Sequence, residues 1–201
     1  MKLFIAGEGL DEIGDFVHER AYRPAKCRGG IIEALLRRVV ASGWTIVDGC
    51  PWRRIRKFAF GRDMHGRERR NILGLVDQAA EAGCEVVAFV RDRDGEKDRH
   101  ASIELAIAEV RECGFGMAVI GGTAIEATDA WILACLGETR SEDLTDPKIT
   151  LQDRFSVSTS AGKTEIVESA NWDKLPTDAS SLRTWLQRAT AVLGRLQPNH
   201  P

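Results

Sequence analysis

The sequence predicts an α/β fold: a mainly parallel sheet flanked by helices, with a C-terminal helical appendage. Three observations carry this reading. Short apolar runs of strand length alternate with helix-period segments over residues 1–137. Residues 86–90 are apolar without alternation, as expected of a strand covered on both faces. Gly43, Gly83 and Gly114 each fall just beyond a helix-period segment, where helices stop.

The elements follow in order. Residues 2–6, KLFIA, read as a strand ended by the turn Gly7-Glu8-Gly9. Residues 10–22 can be helical, with Ile13, Phe16 and Val17 on one face. Pro24 and Gly29-Gly30 break the chain. Residues 31–42 carry Ile31, Ile32, Leu35, Leu36, Val39 and Val40 on one side, with Arg37 and Arg38 opposite. A strand is expected at 44–47 and a helix at 67–82, where Ile72, Val76 and Ala79 share a face. After the strand at 86–90, Ser102 reads as the N-cap of a helix running to Cys113. A strand at 117–120 and a helix at 126–137 complete the first unit. Residues 138–165 read as polar and loop-rich, and 180–196 as an amphipathic helix with Leu182, Trp185, Leu186, Ala189, Val192, Leu193 and Leu196. The expected organisation is 1–137 as the catalytic domain and 138–201 as an appendage packed on it.

Composition narrows the class. The chain has 201 residues, 43% hydrophobic and 29% charged, the balance of an ordinary water-soluble domain. No apolar run reaches the roughly 18 residues of a membrane helix, and the N-terminus lacks a signal-peptide pattern. A cytoplasmic location without membrane contact is the expectation. Five cysteines with no CxxC pair argue against a disulfide framework or zinc ribbon. Cys84 and Cys113 read as small core residues, and His100 as a loop histidine. Net charge is −2, but residues 53–70 alone carry +6, which leaves −8 for the rest. Such asymmetry points to a polyanion.

The chemistry sits in residues 87–96, VAFVRDRDGE. A buried strand ends in Asp92, Asp94 and Glu96. In an extended chain, alternate side chains point the same way, so these carboxylates would crowd one spot. A cation between them would relieve the repulsion, and hard oxygen donors suit Mg²⁺ or Mn²⁺. Glu8 follows another apolar strand. If strands 2–6 and 86–90 are parallel neighbours, Glu8 joins the other acids at the carboxyl edge of the sheet, where α/β sites gather.

A strand ending in Glu8 within GEG, followed by a strand ending in Asp92-x-Asp94-x-Glu96, resembles the Toprim domain of topoisomerases, bacterial primases, OLD-family nucleases and small ribosomal-RNA maturation nucleases. The resemblance covers roughly residues 1–137. The segments 125–131, Asp146-Pro147-Lys148 and the final helix look similar to those of small stand-alone Toprim proteins. The resemblance implies that Glu8 is a general acid/base or metal ligand, that Asp92 and Asp94 hold Mg²⁺, and that Glu96 assists. Glu126 or Asp129 would support a second metal, as further acids do in OLD-like nucleases. The chain departs from the larger members. Tyr22 is its one tyrosine, its cysteines cannot build a zinc module, and Gly162-Lys163-Thr164 lacks the earlier glycine of a Walker A loop because Val157 stands there. Any ATPase would be a separate partner protein.

The cations offer the second leg. Arg53, Arg54, Arg56 and Lys57 lie beside Trp52 and Phe58, and Arg67, Arg69 and Arg70 follow. Cations interleaved with aromatics pair with phosphates and stack on unpaired bases. The expected function is a Mg-dependent nuclease acting on DNA or RNA, with a phage-defence system as one expected setting. Two alternatives stand beside it: a non-catalytic Toprim subunit or regulator of a larger ATPase-containing complex, and a phosphatase of small phosphates.

Overall fold

The structure, a computed structural model, describes residues 1–15, 29–57 and 66–196. Its strands are β1 (Lys2–Gly7), β2 (Thr45–Pro51), β3 (Val86–Phe89), β4 (Arg91–Asp92), β5 (Ala118–Ile120) and β6 (Thr123–Ala124). Its helices are α1 (Leu10–Ile13), α2 (Ile31–Val39), α3 (Arg67–Glu81), α4 (Lys97–Glu112), α5 (Thr128–Cys135), α6 (Pro147–Phe155), α7 (Ser160–Ser169) and α8 (Ser180–Leu193). The main sheet runs β2-β1-β3-β5, and β4 pairs with β6. Every strand pairing among the described residues is parallel.

Alternation along the strands sorts the core into two layers. Leu3 and Ile5 of β1, with Val86 and Ala88 of β3, join one apolar cluster built from α2, α5 and α8. Phe4 and Ala6, with Val87 and Phe89, join the other, built from α3 and α4. Helices on both faces explain why β3 is buried at every residue and why its sequence does not alternate. Residues from 138–201 belong to the first cluster. Leu151, Val167, Leu182, Trp185, Ala189 and Leu193 are all buried against it.

Two strands are interrupted. β3 and β4 break at Val90, and β5 and β6 break at Gly121–Gly122. The chain then resumes pairing, with the Arg91 N–H donating to the Gly122 carbonyl at 3.2 Å and the Arg93 N–H to Ala124 at 3.0 Å. Helix α8 serves the broken stretch. Trp185 Nε1 donates to the Phe89 carbonyl at 2.9 Å, and Arg188 to the Gly121 carbonyl at 2.5 Å.

Several expectations need correction. The helix expected at 10–22 ends at Ile13, and Phe16 and Val17 lie outside the described residues. The helix at 31–42 stops at Val39, because Val40 turns to extended geometry before Gly43 is reached. The strand expected at 44–47 extends to Pro51. Helix α4 starts at Lys97, not Ser102: the polar run Lys97-Asp98-Arg99-His100 hides its first turn, and His100 is helical rather than a loop residue. Cys113 caps that helix exposed, while Cys84 is buried. Residues 138–165 hold α6 and the start of α7, each burying little apolar surface, so periodicity is faint. Their caps are legible nonetheless. Asp146 accepts from the Ile149 N–H with Pro147 at the first turn, and Thr159 accepts from the Gly162 N–H.

Candidate functional site

Strand β1 has β2 on one side and β3 on the other. The chain beyond β1 leads to one side of the sheet and the chain beyond β3 to the other, which opens a crevice at the carboxyl ends of this pair. Ala6 is in register with Phe89, so the residues following each strand emerge together. Glu8 thereby meets Asp92. Its Oε1 accepts the Asp92 backbone N–H at 3.2 Å, prolonging the ladder by a side chain where β1 has ended. Oxygens of Glu8, Asp92 and Asp94 lie within 4.8 Å of one another.

The route to that cluster differs from the expected one. Asp94 does not follow Asp92 in extended geometry; its φ is +50°, a left-handed conformation uncommon outside glycine and held here by its surroundings. Its N–H donates to the carbonyl of Glu126, itself at φ +62°. Glu96 is not part of the group and pairs with Arg99 at 2.7 Å. Glu126 pairs with Arg93, and Asp129 with Lys163 at 2.7 Å. Among the described residues, the grouped acids able to share one ion are Glu8, Asp92 and Asp94.

Asp92 carries most of the electrostatic load. Its Oδ1 accepts both the backbone N–H and the hydroxyl of Thr128, each at 2.9 Å. Burial, and then the charge of Glu12, push its pKa up to about 7 despite those bonds. Glu12 is a buried acid that the sequence reading passed over. Its Oε2 accepts the Gly9 N–H at 2.8 Å, and its Oε1 lies 2.8 Å from the Thr128 hydroxyl. Burial raises its pKa as well. The Thr128 hydroxyl has a single hydrogen and two carboxylate neighbours. One hydrogen satisfies one of them; the other contact requires a proton on a carboxyl. Space for Glu12 comes from two glycines, since a Cβ on Gly7 would overlap its side chain and a Cβ on Gly30 its carbonyl.

The cations of the site come from within. Arg99 is almost fully buried and donates to the carbonyls of Asp92 and Arg93 at 2.7 and 2.8 Å and to Asp94 at 2.9 Å, which fixes the 92–96 turn. Arg91, also buried, pairs with Glu8 and stands 3.7 Å from Asp94. Glu68 lies 3.3 Å from Arg99 and 4.0 Å from Arg91. On the other flank, buried Lys163 bridges Asp11 at 2.5 Å and Asp129 at 2.7 Å, tying α7 to α1 and α5. Arg91, Arg99 and Glu68 gave no sequence signal beyond charge, and Lys163 stood out only in a Gly-Lys-Thr run that is not a Walker A loop. A Glu at the third helical position behind Gly9, by contrast, is a capping pattern from which Glu12 could have been picked.

The basic segment divides. Arg53, Arg54, Arg56 and Lys57 are exposed, Arg56 paired with Glu81; Arg67 is exposed, and Arg70 is half-buried. Arg69 is engaged by Glu109 at 2.5 Å. Trp52 is not available for base stacking. It is 6% exposed and packs on Phe89 at 5.5 Å between ring centres. Phe58 and Arg62 lie outside the described residues.

No family model matches the chain, and no curated protein or solved structure matches it. No helix among the described residues is long and apolar enough to cross a membrane.

Proposed function

We propose that this chain is a Toprim-like, metal-dependent phosphodiester hydrolase acting on DNA or RNA. The observation that carries the reading is the convergence of Glu8, Asp92 and Asp94 within 4.8 Å at the carboxyl ends of adjacent parallel strands. An all-oxygen, partly exposed donor set fits Mg²⁺ or Mn²⁺. Such an ion supplies Lewis-acid stabilisation of charge on a phosphoryl oxygen. Asp92 and Asp94 would hold it together with Glu8. Glu8, about one-third exposed, can also reach solvent and carry a proton. Arg53, Arg54, Arg56 and Lys57 would bind backbone phosphates and orient the strand.

One observation favours the second reading, a non-catalytic subunit or regulator. Arg91 and Arg99 already neutralise Glu8 and Asp94. A cluster so paired keeps its shape without an ion.

The deciding experiment is incubation of the purified chain with DNA and RNA in Mg²⁺, Mn²⁺ or EDTA, beside Asp92→Asn. Cleavage that needs the ion and Asp92 supports the hydrolase. Ion binding without cleavage of either polymer supports the regulator. Changing Arg53, Arg54, Arg56 and Lys57 together to Ser should flatten the salt dependence of binding, by about 0.7 in log–log slope per lost contact on single strands. An unchanged slope removes this stretch from the interface.

A further inference from the structure

The acidic cluster contains a cation of its own. Arg91 is 7% exposed, and one end of its guanidinium reaches Glu8 with Asp94 3.7 Å away. Its guanidinium carbon lies 5.7 Å from the centre of the Trp52 ring. Yet its buried Nε has no hydrogen-bond partner, and the nearest Glu68 oxygen is 4.0 Å off. Burial, and then the charge of Arg99, work against the charged form. A guanidinium has five N–H donors in a fixed fork, and a buried one with an unused donor is incompletely satisfied. This arginine therefore stands in the cluster without being fully held by it.

We propose that Arg91 is an internal occupant of the acidic site: it competes with a divalent cation for Glu8 and Asp94, and once displaced it becomes a ligand for a phosphodiester. The proposal rests on the ion-binding reading above. An ion that draws Glu8 and Asp94 to itself takes away both carboxylate partners of the Arg91 terminal nitrogens. A second positive charge at the same oxygens also repels the guanidinium. The chemistry left to it is recognition of another anion close to the ion, and the guanidinium fork matches phosphate oxygens in pairs. The phosphate in turn stabilises the displaced arginine, so ion and phosphodiester raise each other's affinity. Such coupling is reciprocal by thermodynamic necessity.

Mn²⁺ binding by the whole chain, followed by electron paramagnetic resonance, tests this with and without a short phosphorothioate oligonucleotide that resists cleavage. Arg91→Met should bind Mn²⁺ at least tenfold more tightly than the wild type, the effect one charge at this range has on a carboxylate's proton affinity. The oligonucleotide should tighten Mn²⁺ binding in the wild type but not in the variant. Trp52 gives a readout that needs no Arg91 variant: Mg²⁺ should change its fluorescence as the guanidinium leaves the ring, and the change should vanish in Trp52→Phe. Asp92-dependent ion binding that Arg91→Met leaves unchanged or weakens, or with no Trp52 response, overturns the competition by Arg91 and spares the ion site. Absence of ion binding in wild type and Arg91→Met alike overturns both.

Discussion

Asp92→Asn should at least halve a pH dependence of stability that the wild type shows in EDTA. An aspartate ordinarily titrates at 3.8, and Asp92 is pushed up to about 7. The native state thus holds a proton that the unfolded chain has already released over that interval. Stability is present in full below about pH 4 and falls as pH rises to about 7, with no further loss above it. At about 1.4 kcal/mol per unit, the shift of roughly three units sets an upper bound of about 4 kcal/mol. Asp92 keeps some contact with water, so about 2 kcal/mol is the expected loss. Glu12 shares the environment through Thr128 and shifts the same way, so the measured midpoint belongs to the pair. Urea unfolding from pH 4 to pH 8 in EDTA measures the slope directly. The wild type should lose stability across the interval, and Asp92→Asn should lose about half as much or less. Equal slopes in the two proteins would refute the assignment of the proton to Asp92.

Asp94→Asn should cost under about 1 kcal/mol in urea unfolding, because Asp94 is 52% exposed, yet it should weaken Mn²⁺ binding by tenfold or more. Lys163→Met should cost about 3–5 kcal/mol, since Asp11 and Asp129 would be left as partly buried charges without their partner; a melting temperature within 2 °C or so of wild type would contradict this. Glu142→Gln should cost about 2 kcal/mol. The buried Glu142 carboxylate accepts from the Ser181 N–H and hydroxyl at 3.0 and 2.6 Å, and a neutral amide can replace only part of that.

What the sequence revealed and what it hid follow one physical division. Strands such as 86–90 and the helix carrying Trp185 announce themselves because burying an apolar side chain is worth about 1.5–3 kcal/mol and imposes periodicity. Glu8 and Asp92 were legible for the same reason, each standing one or two residues past an apolar strand. The turn carrying Asp94 was not. Its left-handed geometry and its Arg99 tether carry no apolar period, and an extended reading placed Glu96 in the acid cluster when it is engaged by Arg99 instead. Trp52 was misread because an aromatic among arginines looks identical whether it stacks on a base or on Phe89. Arg91 and Lys163 were invisible as buried groups, since charge in a sequence defaults to solvent.

The interruption of β3–β4 and β5–β6 has a consequence for biosynthesis. The carbonyls of Phe89 and Gly121, exposed by the break, receive their hydrogen bonds from Trp185 and Arg188. Those donors leave the ribosome after every strand and every acid of the site. A nascent chain lacking α8 has the carboxylates but lacks the two donors that hold the backbone where the ribbon of β4 and β6 begins, and each lost hydrogen bond forgoes about 1 kcal/mol. The ribbon is therefore secured last. Premature termination or proteolysis ahead of Trp185 releases a fragment whose acids are loosely held, so the order of synthesis itself delays a competent site until the chain has delivered its closing helix.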